Sequence, residues 1–256
     1  MKKELNVIKV GGAVVEDESS LKALLSAFVA MPGLKVLVHG GGREATKVAA
    51  ALGIGSVMVE GRRVTDAETL KVVTMVYGGL VNKNIVARLQ AEGVNALGLT
   101  GADLGYMLAD KRPVKTVDYG WVGDVRSVDA AILADLIGKG VVPVLAPLTH
   151  DGKGHMLNTN ADTIASSAAK ALSEYFDVTL TFCFEKKGVL RDPDDEDSVI
   201  PAIGRDTFAK LVEDGIVAGG MIPKLQNSFA AIDGGVSKVV ITRSDQLGQD
   251  CGTVIS

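Results

Sequence analysis

Cysteine is nearly missing from this chain: Cys183 and Cys251 are the only two among 256 residues, and no C-x-x-C spacing joins them. Neither a disulfide framework nor a thiolate metal site can be built from them, and such usage is expected of a protein working in a reducing cytoplasm. Histidine is scarce too. His39, His150 and His155 form no H-E-x-x-H arrangement and have no cysteine at ligand spacing, so structural or solvated roles are expected and no residue is assigned to a metal. Aromatics make up only 4% of the chain; Trp121, the one tryptophan, is expected with Tyr119 to pack a β segment. Long apolar runs are absent as well. Val141 to Leu148 is interrupted by Pro143 and Pro147, well short of the roughly 20 apolar residues a bilayer crossing needs, so no membrane partner is expected. The opening MKKELNVIKV lacks the apolar core of a secretory leader. With 27 Lys and Arg against 31 Asp and Glu, no basic surface for nucleic acid is expected, and any anion site must be local.

What the chain does have is alternation. Asn6 to Val10 and Lys35 to Val38 read as strands, and Ser19 to Ala30 and Arg43 to Leu52 as helices. Ser56 to Val64 reads as a hairpin turning at Glu60-Gly61, with Thr65-Asp66 capping a long helix to about Glu92. Asn95 to Val125 reads as an irregular β excursion. Helix Val128 to Lys139, strand Val141 to Ala146 and helix Ala161 to Ser173 follow. After a soft lobe boundary near residue 175 come strand Val178 to Cys183, helices Asp206 to Asp214 and Pro223 to Asp233, and strand Lys238 to Thr242. Such a βαβα order predicts an α/β fold, a mainly parallel sheet sandwiched between helical layers, with ligands gathering at the carboxyl ends of the strands. The acidic run Asp192 to Asp197 is expected to be a solvated loop.

Several turns carry chemistry. Lys9-Val10-Gly11-Gly12 ends the first strand, where an ammonium group and bare backbone N–H groups suit a phosphate, although a solvated lysine beside a tight turn fits equally well. His39-Gly40-Gly41-Gly42 runs straight into a helix, whose unpaired N–H groups and dipole favour an anion. Gly40, Gly42 and Ala45 also fit G-x-G-x-x-A, with Glu60 near the acidic position of a dinucleotide site, so an oxidoreductase is a rival reading; a silent metabolite-binding regulator is another. Asn158 to Asp162 precedes a helix, where Asn160 serves as an N-cap and Asp162 suits the first turn. Gly219 to Lys224 places Lys224 near a helix start, where a polyphosphate would relieve its unfavourable position.

In this order, the Lys9 turn, the triple glycine, Gly61-Arg62-Arg63-Val64-Thr65, Asn158 to Asp162 and Gly220 to Lys224 make the chain resemble the amino-acid kinase family over essentially its whole length, and within it the branch acting on N-acylated glutamate. The resemblance implies the three-layer αβα sandwich of that family. It implies one domain over 1–256, with 1–175 a lobe for the acylated amino acid and for dimerisation, and 176–256 a lobe for ATP. It implies ATP-dependent phosphorylation of the γ-carboxylate of N-acetyl-L-glutamate, an early step of arginine biosynthesis, with Mg²⁺ accompanying ATP. Lys9 and Lys224 would flank the phosphoryl group, with Asp162 orienting both; Gly11, Gly12, Gly41 and Gly42 would bind phosphoryl and acceptor oxygens; Arg63 and Asn158 would hold the α-carboxylate. The family's Asp-Val-x-Gly loop is replaced by Phe184 to Leu190, so Glu185, Lys186, Lys187 and Gly188 are expected near the nucleotide, with a solvated basic turn as the alternative for the two lysines. Arg62 adds a second guanidinium, which would suit N-succinyl-L-glutamate instead or would point into solvent. The first strand begins within a few residues of Met1, leaving no room for the extra helix of the family's arginine-inhibited members, so a homodimer without arginine feedback is expected.

Overall fold

The computed structural model describes residues 2–59, 61–219, 221–249 and 251–256. Glu60, expected in a turn, and Gly220, expected before a helix, lie outside them. In chain order the elements are β1 (Lys3–Val10), α1 (Gly12–Glu16), α2 (Glu18–Ala30), β2 (Leu34–His39), α3 (Gly42–Ala51), β3 (Met58–Val59), β4 (Arg62–Arg63) and α4 (Ala67–Val73). A π-helical segment, Thr74–Val81, then leads into α5 (Asn82–Ala91). Next come β5 (Ala96–Leu99), β6 (Met107–Lys111), β7 (Gly123–Val128), α6 (Ala130–Gly138), β8 (Val142–Leu145), β9 (Leu148–His150), β10 (Met156–Asn158) and α7 (Ala161–Leu172). The chain closes with β11 (Phe176–Phe184), β12 (Ala202–Ile203), α8 (Arg205–Glu213), α9 (Met221–Asp233), β13 (Lys238–Arg243) and β14 (Thr253–Ile255).

Eight strands form one sheet in the order β12-β14-β13-β11-β1-β2-β8-β5, parallel throughout except where β13 meets β14. Residues before position 175 supply β1, β2, β8 and β5, and those after it supply the other four. Alternation along the strands divides the core in two. On β1 and β2, Leu5, Val7, Val36 and Val38 pack with α6, α7 and α9 through residues such as Leu133, Ala165 and Phe229. Ile8, Val10 and Leu37 face the other way, onto Leu24, Phe28, Ala45, Val72 and Ile85 of α2 to α5. A sheet buried on both faces needs helices on both, which is the three-layer sandwich expected from the alternation.

Beside it, β10-β9-β6-β7 forms a second, mostly antiparallel sheet, and β3 pairs with β4 as the expected hairpin. The segment from Asn95 is therefore not all excursion, for Ala96–Leu99 is an edge strand of the main sheet, parallel to β8. Its pattern is muted by Gly98, where a Cβ would stand 1.8 Å from Asn82 Oδ1, so no side chain fits. Asp66 caps α4 by accepting from the N–H of Thr69 at 2.8 Å, and Asn160 caps α7 by accepting from the N–H groups of Asp162 and Thr163. The long helix expected to run to Glu92 is continuous, but its middle third is π rather than α. No helix among the described residues is long and apolar enough to cross a membrane.

Candidate functional site

The alternation that buries Leu5 and Val7 sends Lys9 to the same face, and parallel packing brings it level with the first turn of α7. Lys9 is only 8% exposed. Its Nζ lies 2.7 Å from Asp162 Oδ1, outside hydrogen-bond geometry, so the contact is electrostatic. A lysine this buried is costly unless paired, and a carboxylate delivered by a helix start is the needed partner. Phe184, at the end of β11, presents its ring to two cations: Lys9 Nζ at 5.4 Å from the centroid and Lys224 Nζ, in the first turn of α9, at 4.1 Å. Asp162 makes no ion pair with Lys224 among the described residues, so its carboxylate serves Lys9 alone and the ammonium group of Lys224 is left as local positive charge.

A cavity of about 460 Å³ opens at the strands' carboxyl ends beside this cluster. Gly11, Gly12, Gly42, Glu185, Lys186, Gly188 and Lys224 all line it, together with Arg43, Phe184 and Met221. The two glycine turns touch: the N–H of Gly40 donates to the carbonyl of Val10 at 3.0 Å, and a Cβ on Gly40 would come within 3.0 Å of the Gly12 nitrogen. A Cβ on Gly12 would stand 3.5 Å from the Gly41 nitrogen, so backbone N–H groups cluster where side chains are missing. No side chain caps α3 at Gly41, which leaves its first N–H groups to an anion. Gly188 has a packing reason as well, since a Cβ there would meet Thr253 Oγ1 at 2.7 Å. Arg43 and Glu185 reach toward each other at 3.7 Å, an exposed and weak pair. Lys187 is not among the lining residues. It pairs instead with Asp197 at 2.6 Å, which raises its pKa and ties this turn to the exposed acidic loop. Cys183 also borders the cavity, but burial pushes its thiol up to about 12, leaving it unreactive.

Behind Gly42 lies a second group. Arg63, 8% exposed, donates through Nη1 to Ser56 Oγ and through Nη2 to the carbonyl of Gly42 and to Thr46 Oγ1. None of these acceptors is charged, so its charge is unmatched by a carboxylate among the described residues. Asn158 donates from Nδ2 to Thr65 Oγ1 at 2.9 Å, and its N–H donates to the carbonyl of Trp121. The structure thus collects two neighbouring sets around the glycine turns, one cationic and beside the cavity, of which Lys224 but neither Lys9 nor Asp162 lines it, and one of donors around Arg63. Arg62, by contrast, is exposed, since strand alternation turns it away from its neighbour. Trp121 packs as expected, between Lys111 at 4.2 Å and His155 at 5.1 Å between centroids.

His39 underpins the triple glycine. It is fully buried, its Nδ1 2.7 Å from the carbonyl of Gly40 and its Nε2 3.1 Å from Asn82 Nδ2. Because the amide must donate, Nε2 accepts and Nδ1 carries the proton to Gly40. Burial pushes the imidazole pKa down to about 4. Between that value and the ordinary 6.5 the unfolded chain binds more protons, so this stability is complete above about 6.5 and is lost as pH falls through about 4. We expect acidification from pH 7.5 to 4 to cost the parent about 3 kcal/mol more than the His39→Gln variant in urea denaturation. Equal losses would show that the ring is not held neutral.

Sequence reasoning did not find Phe184 as a cation platform or Tyr77 behind the glycine turn. The signal for Phe184 was its place at a strand end beside the loop expected near the nucleotide; for Tyr77 nothing local marked it.

The amino acid kinase family pattern matches residues 4–243. An acetylglutamate kinase of Bacteroides thetaiotaomicron is 69% identical over 255 residues, covering 100% of this chain and 99% of that protein. Among solved structures, the protein smu.665 of Streptococcus mutans UA159 superposes with a TM-score of 0.78 at 28% identity, covering 98% of each chain. N-acetylglutamate synthase of Neisseria gonorrhoeae, complexed with coenzyme A and N-acetyl-glutamate, gives 0.82 at 22% identity over 99% of this chain and 59% of that one, a likeness of fold.

Proposed function

The chain belongs to the amino acid kinase family, and from that membership we propose that it transfers the γ-phosphoryl group of ATP to the γ-carboxylate of N-acetyl-L-glutamate. The observation that carries this reading is the 69% identity extending over the whole of both chains. The acceptor carboxylate has an ordinary pKa of about 4.3 and is ionised at neutral pH, so no general base is required. One carboxylate oxygen forms a bond to Pγ, the bond from Pγ to the bridging oxygen breaks, and ADP leaves with the electron pair. What remains for the protein is alignment and charge neutralisation. Lys9 and Lys224 would meet the phosphoryl oxygens, Asp162 would hold Lys9 in place, and N–H groups of Gly11, Gly12, Gly41 and Gly42 would receive phosphoryl and acceptor oxygens. Arg63 and Asn158 would take the α-carboxylate, a role that suits a buried guanidinium without a counter-ion.

Mg²⁺ enters this reading as the partner of ATP. It keeps most of its waters and is bound chiefly by phosphate oxygens. Among the described residues no three His, Cys, Asp or Glu side chains converge on a metal-sized site, so none is assigned to it. On the ATP side, Lys186 lines the cavity whereas Lys187 is engaged with Asp197. We therefore expect Lys187→Ala to leave KM for ATP within about twofold, as for loss of an exposed ion pair, and Lys186→Ala to raise it further; the reverse order in steady-state kinetics would exchange their roles. A cytoplasmic homodimer working in arginine biosynthesis completes the reading, and light scattering would test the dimer. The dinucleotide alternative is not favoured, because the triple glycine is the second βα turn and packs on the first. Nor does the exposed Arg62 support a succinyl substrate.

Trapping the acyl phosphate as a hydroxamate, with N-acetylglutamate, N-succinylglutamate, glutamate and aspartate in parallel, tests the proposal. ATP-dependent turnover of N-acetylglutamate above the others is expected; turnover of none would sink it.

A further inference from the structure

Tyr77 is 5% exposed and sits in the middle of the π-helical segment Thr74–Val81. Such segments inside helical runs recur at functional sites, because the wider turn re-aims side chains. Here the phenol ring lies against the triple glycine: a Cβ on Gly41 would stand 3.1 Å from Tyr77 Cδ1 and 3.3 Å from Cε1. The Tyr77 hydroxyl and Arg63 Nη2 each lie 4.0 Å from where a Cβ on Gly42 would be. Burial raises the phenol pKa against the opposing pull of Arg63, so the hydroxyl keeps its proton at neutral pH. A guanidinium can only donate, so the phenol oxygen can accept from Arg63 while its own proton is left for another acceptor. Arg63 in turn has only neutral acceptors. Two donors side by side at a bare backbone turn leave room for one shared anion.

We propose that Tyr77 is a specificity-determining residue, its hydroxyl donating to the same substrate carboxylate that Arg63 holds, so that a phenol and a guanidinium together read the α-carboxylate of the acylated amino acid. This inference rests on the acylglutamate kinase reading above. The carboxylate to be phosphorylated and the carboxylate being read are then distinguished by position: the first among backbone N–H groups and lysines, the second between Arg63 and Tyr77.

The test compares the parent with Tyr77→Phe on two acceptors, N-acetylglutamate and 4-acetamidobutanoate, which keeps the acyl amide and the terminal carboxylate but lacks the α-carboxylate. Removing a hydrogen bond to a charged group is expected to raise KM for N-acetylglutamate roughly tenfold or more, with KM for ATP unaltered and kcat/KM for 4-acetamidobutanoate the same in both proteins. A melting temperature for each protein separates this from a folding defect. If both acceptors lose efficiency alike, or neither does, Tyr77 is packing and the proposal fails alone. If the parent phosphorylates neither acceptor, the kinase reading fails and takes the proposal with it.

Discussion

Replacing Lys9 with alanine is expected to lower kcat by about 10²- to 10³-fold, the range for deleting one preorganised charge-stabilising group. Lys9 is nearly buried, held 2.7 Å from Asp162 and backed by Phe184, so its ammonium position is determined before any substrate arrives. Such a group costs nothing to reorganise as charge spreads over the phosphoryl oxygens. Lys9→Arg should recover little, because a planar fork cannot occupy the space of a compact ammonium between a carboxylate and a ring face. The loss should appear in kcat rather than in KM for N-acetylglutamate, whose α-carboxylate is assigned to Arg63 and Asn158. Initial rates of hydroxamate formation at saturating ATP decide the matter; a kcat within about threefold of the parent, less than 1 kcal/mol of barrier, would remove Lys9 from the reaction.

The second large effect is structural. Gly120 has a φ of +72°, and a Cβ there would lie 2.2 Å from the carbonyl oxygen of Thr65. That carbonyl is already fixed, accepting from the N–H of Trp121 at 2.6 Å, while the N–H of Thr65 donates to the carbonyl of Tyr119. Thr65 is fully buried and its hydroxyl accepts from Asn158. Gly120→Ala should therefore cost about 4 kcal/mol, combining left-handed strain of about 1–3 with overpacking of about 1–3. Because the displaced Thr65 follows closely on β4, which carries Arg63, KM for the acylated amino acid should rise as well. Gly53→Ala is the matched control: its φ is +73° but nothing lies within 4 Å of the added methyl, so only the backbone penalty of about 1–2 kcal/mol applies. Urea denaturation of the two variants giving equal losses would show that Thr65 can move aside.

Much of this was legible in the residues. The period of two in β1 that buries Leu5, Val7, Ile8 and Val10 also dictates which face Lys9 takes, and Asn160 announces the helix that carries Asp162. The glycine turns were visible because bare backbone has no substitute there. Other features were hidden for identifiable reasons. Strands β9, β10, β12 and β14 are two or three residues long and show no period. The π segment has the composition of an ordinary helix; its register is set by packing, which directs Tyr77 at Gly41. Phe184 acquires its two cations only through strand pairing and the arrival of α9, contacts that join residues far apart in the chain. Lys187 sits beside Lys186 in sequence, yet its engagement with Asp197 depends on a loop ten residues on.

The ladder joining β1 to β11 runs without a break from Lys3 opposite Phe176 to Val10 opposite Cys183. Sliding β1 past β11 by a single residue would turn Lys9 away from Asp162 and send the apolar side chains of β1 to the wrong layer. No graded shear along this seam is available, because intermediate offsets lose the ladder without gaining another. The segments that project beyond the strand ends, residues 40–42 and 185–188 among them, are outside this ladder, and the central seam is the fixed datum that sets where they start.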